Sequence, residues 1–499
     1  MVRLLFLLHR YLGIAVGFVM LIWTVSGIIM MYQEYPELDP WEQRSLLGEI
    51  DTSACCELPA ARMAIGETFR EVRVEMLGES PVLRLLSSRG ESSTYYLDSG
   101  VKLIDIDREA AQLLADEFVA RRYPDQIASL DAQIFNDQWT VYGAYNPYRP
   151  LFRYQLNDKL GTEFYISSKS GEIVQLTTAR ERLWGYLGAV IHWLYPTVLR
   201  QHTAVWAQVV IWLTILGIFL TTIGLYIGVR QYRARSNGKR SPYRGMALFH
   251  HYGGLVFGIL TLTWVTSGLF SMNPWGALEG EGAGPESARL RGGELSWGDI
   301  AASILQIEQS ESSIDVLQYR IVPMAEKAQL IAYSADNNGV RIDLDSRQAQ
   351  PFGETELRRL ATRLQPGIPI RSQSLLGESD TYYYQHHARM EFPVYRVIFA
   401  DDEARHYYLS PVSGEILKKV DAEIRWYRWV FYGLHRGDFT ALLRSRPLWD
   451  IFMVLFLLGV TVVCATGTIM AYRRVRRDLQ LLRHRSQGIP PLEQSLEDI

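Results

Sequence analysis

Four stretches of this chain are apolar for long enough to cross a lipid bilayer, and that constrains the fold before anything else does. A hydrocarbon core of about 30 Å takes about 20 apolar residues as helix, and residues 4–32, 205–229, 246–272 and 449–472 each reach that length. The overall 48% hydrophobic content is therefore an average over unlike regions. Between the second and third stretches, RQYRARSNGKRSPYRG holds six Lys or Arg and no acid, and RRVRRDLQLLRHR follows the fourth. The positive-inside rule then places both termini and the central loop in the cytoplasm. The two long polar stretches face the other side, read as a bacterial periplasm. After the first apolar run comes MYQEYPELD, with no small-residue cleavage site, so that run is expected to remain as an anchor.

The expected fold is a membrane protein with four transmembrane α-helices in two parallel repeats and two α+β periplasmic domains. Residues 1–32 form the first span, 33–181 the first periplasmic domain and 182–204 an amphipathic segment. The second span is 205–229, the basic cytoplasmic loop 230–245 and the third span 246–272. The second domain is 273–423, its amphipathic segment 424–448, the fourth span 449–472 and the cytoplasmic tail 473–499.

The repeat is read directly from the residues. Residues 137–230 align without a gap onto 380–473 at a constant offset of 243: Asp137 on Asp380, Arg153 on Arg396, Tyr165 on Tyr408, Trp206 on Trp449 and Gly224 on Gly467. The first span repeats at an offset of 241, LLHRYLGIAVGFVMLIWTVSG against LFHHYGGLVFGILTLTWVTSG. Each half starts inside and returns inside, so the repeats are parallel about a pseudo-two-fold along the membrane normal. TEFYISSKSGEIVQL and RHYYLSPVSGEILKKV alternate like strands closed by a Ser-Gly turn. DREAAQLLADEFVARRY and ETELRRLATRLQ have helical periodicity.

Internal symmetry also sorts the ten histidines. His9 falls on His250 and His192 on His435, while the other six meet no imidazole. His9 and His250 lie near the cytoplasmic ends of spans one and three; His192 and His435 lie on the amphipathic segments at the exported face. Some 23 residues of helix separate His9 from Tyr32, or about 35 Å, so pairing runs across the halves. Two neutral imidazoles facing each other at equal depth suit a porphyrin iron ligated from both sides. A structural zinc would want four ligands. Gly13 with Gly17, and Gly254 with Gly258, follow the first pair at i+4 and i+8 on the same face and leave room for a flat ring. GxxxG in a span is more commonly a close helix contact. Arg10 and Arg436, each directly after a histidine, are candidates to pair with haem propionates, against ordinary snorkelling. His251 is the alternate to His250, and His202 the alternate to His192. His386 and His387 are read as a solvated loop or a substrate-facing one. Trp23 with Trp264, and Trp206 with Trp449, are matched aromatic pairs, read as packing or as lining an electron route. Cys55 and Cys56 are adjacent without CxxC spacing, and with Cys464 they make no disulfide framework.

The order LLHRYLG, then FYISSKSGEIV or YYLSPVSGEIL, then IHWLY or GLHRG, then TTIGLYIG or ATGTIMAY resembles the PepSY-associated transmembrane helix family, which includes inner-membrane ferric-siderophore reductases of the FoxB type. The resemblance covers nearly the whole chain. It implies PepSY-like periplasmic domains and two haem b groups, one near each membrane face, with His9, His192, His250 and His435 as the ligands. It also implies an oxidoreductase that passes electrons to a periplasmic ferric-siderophore or other ferric chelate. DQWTVYGAYNPYRP lacks the histidines of DTYYYQHHARMEFP, which argues against a two-fold substrate site. No GxGxxG follows a strand, so the chain is not expected to bind NAD(P)H; a separate cytoplasmic electron donor, a flavoprotein or quinol, is implied. No nucleic-acid partner is expected. The rivals are a non-redox PepSY-domain envelope protein that binds or regulates a periplasmic partner, and a transporter, for which spans without central carboxylates offer little pathway.

Overall fold

The computed structural model describes residues 2–51, 56, 58, 66–234, 238–309, 315–335, 339–344, 348–386 and 389–486. Two units emerge: Met1–Tyr35 with Leu183–Leu278 and Trp426–Ile499, and Pro36–Arg182 with Glu279–Arg425. Cys55 and His387 lie outside the described residues.

In the first unit the apolar runs, free of proline, form four long helices: α1 (Val2–Met30), α2 (Thr203–Gln231), α3 (Gly245–Ser271) and α4 (Leu448–Ser486). All four are long and apolar enough to cross a membrane. Helix α4 runs well past residue 472, where the fourth span was expected to end, because RRVRRDLQLLRHR is rich in the good helix formers Arg, Leu and Gln and has no Gly or Pro. Its 39 residues extend about 58 Å. Phe18, Trp212, Phe219, Phe249, Ile259 and Leu455 are exposed on the outside of the bundle, a surface suited to lipid and costly in water. Helix α1 packs on α2 and α4, and α3 packs on the same two, which leaves α1 opposite α3.

The second unit is α+β, as expected, and holds three antiparallel sheets. In the first stretch lie β1 (Phe69–Leu77), β2 (Ser80–Ser87), β3 (Ser92–Tyr96), β4 (Ala128–Ile134), β5 (Leu151–Leu156), β6 (Glu163–Ser167) and β7 (Ile173–Thr177). In the second lie β8 (Val316–Met324), β9 (Lys327–Ser334), β10 (Gly339–Ile342), β11 (Ile370–Leu376), β12 (Val394–Phe399), β13 (His406–Leu409) and β14 (Ile416–Val420). Two sheets, β4-β5-β6-β7 and β11-β12-β13-β14, each belong to one stretch; the third, β10-β9-β8-β1-β2-β3, draws on both. Strands β1 and β8 join it, with Arg73 opposite Arg320. That pairing closes an edge that each three-stranded piece would otherwise expose. It also lets Val72, Val74, Leu83, Leu85, Ile321 and Leu330 share one core with Ile300, Ile304 and Ile307 of the helix Trp297–Glu308, whose capping box is Ser296 and Asp299.

The two periodic segments are helices, Arg108–Arg122 and Glu354–Leu364. The Ser-Gly turns also form where expected, between β6 and β7 and between β13 and β14. Gly171 and Gly414 have φ of +70° and +75°, a backbone region that favours glycine. A Cβ there would stand 2.8 Å from Leu77 Cδ1 or 2.9 Å from Met324 Cγ. The glutamate after each glycine reaches the polar face of the six-stranded sheet. Glu172 meets Arg73 at 3.2 Å, and Glu415 meets Arg320 at 3.2 Å.

On that face Arg84 and Glu75 form a fully buried pair, and Gln318 Nε2 donates to Glu75 Oε2 at 2.7 Å. Arg84→Met leaves the Glu75 carboxylate without its principal partner, so a loss of about 3–5 kcal/mol of stability is expected, measured by urea denaturation followed by tryptophan fluorescence. Burial pushes the Glu172 carboxyl up, but Arg84 and Arg73 together hold it well below its ordinary value of 4.5. With the folded pKa below the unfolded one, the stabilisation is present above about pH 4.5 and lost as pH falls toward the folded value. The urea midpoint should therefore drop between pH 5 and 3, and Glu172→Gln should flatten that drop.

Candidate functional site

The four symmetry-matched histidines come together as two pairs inside the helical bundle. His9 and His250 have ring centroids 6.3 Å apart with planes at 43°. His192 and His435 are 6.2 Å apart at 66°. The first pair is carried by the opposed helices α1 and α3. The second is carried by short segments in which an α-turn passes into a π-helix, Tyr186–Val190 before His192 and Arg428–Gly433 before His435. Such π-turns recur at functional sites, where they re-aim a side chain.

All four rings are seated in one way. His9 Nδ1 lies 3.1 Å from Leu220 O, His250 Nδ1 3.1 Å from Val463 O, His192 Nδ1 3.1 Å from Trp23 O, and His435 Nδ1 3.1 Å from Trp264 O. A carbonyl only accepts, so each Nδ1 carries the proton and donates. The lone pair is then on Nε2, the state a metal ligand needs. Hydroxyls reinforce three of the seats: Thr466 Oγ1 at 3.1 Å from His250, Ser26 Oγ at 3.3 Å from His192, and Ser267 Oγ at 3.1 Å from His435.

Each accepting carbonyl belongs to a helix whose residue four positions on is glycine. A Cβ on Gly224 would stand 2.6 Å from His9 Cε1, one on Gly467 3.1 Å from His250 Cε1, one on Gly27 3.4 Å from His192 Cε1, and one on Gly268 3.5 Å from His435 Cε1. An in-helix carbonyl already bonds the i+4 amide; a bare i+4 position lets an imidazole approach it from the side. These glycines were visible in the sequence, since Gly224 falls on Gly467 and TVSG on VTSG, but which helix each faces was not.

The ambiguity at His250 and His251 resolves through hydrogen bonding. His251 is buried, with Nδ1 2.8 Å from Ser241 Oγ and Nε2 2.9 Å from Gly228 O. Both nitrogens are engaged, Nε2 as the donor, so no lone pair remains for iron. His202 is exposed before α2 and, among the described residues, makes no ring contact with His192 or His435. Gly254 has nothing within 4 Å of a built Cβ, and Gly13 only Leu220 Cδ1 at 3.9 Å, whereas at Gly258, also expected to leave room, a Cβ would stand 2.6 Å from Leu225 Cδ2. Arg10 is exposed. Arg436 lies over the Phe431 ring at 5.2 Å, and Phe431 stacks on His435 at 5.2 Å and 22°, so a cation–π stack backs that imidazole. Trp206 and Trp449 have a clear structural role: their indoles donate to Trp193 O at 2.9 Å and Arg436 O at 2.7 Å, the carbonyls directly after His192 and His435.

The residues fit a bis-imidazole iron. An imidazole nitrogen bonds a transition metal at about 2.0–2.1 Å; adding about 1.1 Å from Nε2 to the ring centre on each side gives about 6.3 Å between centroids. The two pairs stand at different levels, because 14 residues of α1 between His9 and Trp23 rise about 21 Å. Among the described residues no three of His, Cys, Asp and Glu gather in a metal-binding group, so the donors offered at each level are the two imidazoles.

Fold and site together define a multi-span membrane protein whose helical bundle is organised around two imidazole pairs and which carries an α+β unit outside its spans. The family model for the PepSY-associated TM region matches residues 6–474, and the chain belongs to that family. Among curated proteins the search finds no match.

Proposed function

We propose that this chain is a di-haem b oxidoreductase of the bacterial inner membrane that carries electrons outward to reduce a periplasmic ferric-siderophore or other ferric chelate. The observation that supports this best is the pair of imidazole pairs, with ring centroids 6.3 and 6.2 Å apart and every Nδ1 committed to a carbonyl. Haem iron held by His9 with His250 and by His192 with His435 would supply one-electron transfer at two depths. The protein's own part is to hold each ligand ring in one tautomer, to keep the rings at a fixed spacing, and to exclude water with apolar helix.

In this reading the halves are parallel repeats, both termini are cytoplasmic and the sheets are periplasmic. A cytoplasmic flavoprotein or a quinol reduces the inner level, and the ferric chelate receives the electron at the exported side. Reduction releases iron because ferrous iron is held less tightly by hard oxygen ligands. The test is electron transfer across a sealed membrane. Vesicles loaded with a reductant and given an external ferric-hydroxamate chelate with a ferrous trap should form the ferrous complex only when the native protein is present. The same rate in protein-free vesicles would overturn the reading.

A further inference from the structure

The polar face of the six-stranded sheet carries a second site, unrelated to the histidines. A cavity of about 340 Å³ opens there, within the second unit, between the sheet, the helix Pro40–Ser45 and the helix Arg108–Arg122. That volume suits a small molecule. Its wall holds five arginines (Arg44, Arg73, Arg84, Arg121 and Arg320) against three glutamates (Glu71, Glu75 and Glu172).

Three of the arginines are committed. Arg73 pairs with Glu172, Arg84 with Glu75, and Arg320 with Glu71 at 2.8 Å and with Glu415. The other two are not. Arg44 lies between the rings of Trp41 at 4.9 Å and Tyr333 at 4.4 Å, and its Nε is buried without a hydrogen-bond partner. Asp39 and Glu391 act on it only from beyond ion-pair distance. Arg121 donates to Leu46 O at 2.8 Å and feels Glu117 only at longer range. Aromatic stacking fixes the plane of Arg44, and a fixed guanidinium fork is matched by a carboxylate. Apart from Gln43 and Gln318 the remaining wall is apolar, with Leu46, Leu47, Met76, Leu114 and Phe118. We propose that this cavity binds a small carboxylate with an apolar body, such as an aryl carboxylate, its anionic groups held by Arg44 and Arg121.

The proposal does not depend on the haem reading. Phthalate is the probe, titrated by calorimetry into the full chain in lipid nanodiscs. One saturable site per chain with a Kd below about 1 mM is expected, together with a rise in the urea midpoint of the wild type, as ligand linkage requires. Arg44→Gln and Arg121→Gln should each weaken binding at least tenfold, and Leu114→Trp, which fills the apolar end, should abolish it. Neutral benzamide should not bind. Absence of saturable binding, binding as tight as the wild type's in both glutamine variants, or inorganic phosphate binding as tightly as phthalate would each overturn the assignment. None of these outcomes alters the haem count.

Discussion

His192→Ala is expected to halve the haem content of the purified protein, from two per chain to one, while His251→Ala leaves it unchanged. Both residues are histidines of the same bundle, on different elements, and their ring nitrogens are engaged differently. The His192 ring lies 6.2 Å from that of His435 between centroids and engages Trp23 O through Nδ1, whereas His251 spends both nitrogens on Ser241 and Gly228. Loss of one axial imidazole removes half the protein's hold on the iron. Pyridine haemochrome quantification against protein concentration reads the result. Equal loss in both variants would mean that the bundle, and not the ligand set, had been damaged.

Gly224→Ala should empty the inner level although every ligand remains in place. The added methyl would stand 2.6 Å from His9 Cε1, closer than carbon atoms pack. The ring has little freedom to yield, since its Nδ1 is bonded to Leu220 O on the same helix turn. Haem content should fall by nearly as much as in His9→Ala. Gly254→Ala is the control, because nothing lies within 4 Å of its Cβ position, and it should retain both haems. Retention of both haems in Gly224→Ala would contradict the seating.

Much of this architecture can be read from the residues, for identifiable reasons. Apolar length alone locates the spans, because a single segment satisfies its own backbone hydrogen bonds in lipid only as a helix. Matching the residues of the two halves selects four histidines from ten, and these four are the ones whose rings meet in pairs. The sheets are harder. Each stretch shows its strands and Ser-Gly turns, but nothing local marks β1 and β8 as partners, and their union through Arg73 and Arg320 joins residues 247 positions apart. The length of α4 beyond residue 472 has a different origin: a basic run halts a membrane span but does not halt a helix.

At the site itself, sequence spacing pointed to Gly13 and Gly254 beside the inner pair, on the histidines' own helices. The glycines that accept the rings, Gly224, Gly467, Gly27 and Gly268, lie on other elements, and a repeat alignment matches equivalents without saying which faces which. The choice between His250 and His251 had the same origin: one residue shifts a side chain by about 100° around a helix, and only the position of Ser241 and the Gly228 carbonyl shows which imidazole is already occupied.

The central claim is that two imidazole pairs hold two haems at separate depths. The most direct measurement is a reduced-minus-oxidised absorption spectrum of the native protein, with haem counted per chain and the reduction titrated against potential. The account predicts a b-type spectrum, two haems per chain and two resolved one-electron steps. A protein with no Soret band, or with a single haem that persists in both His9→Ala and His435→Ala, would contradict it.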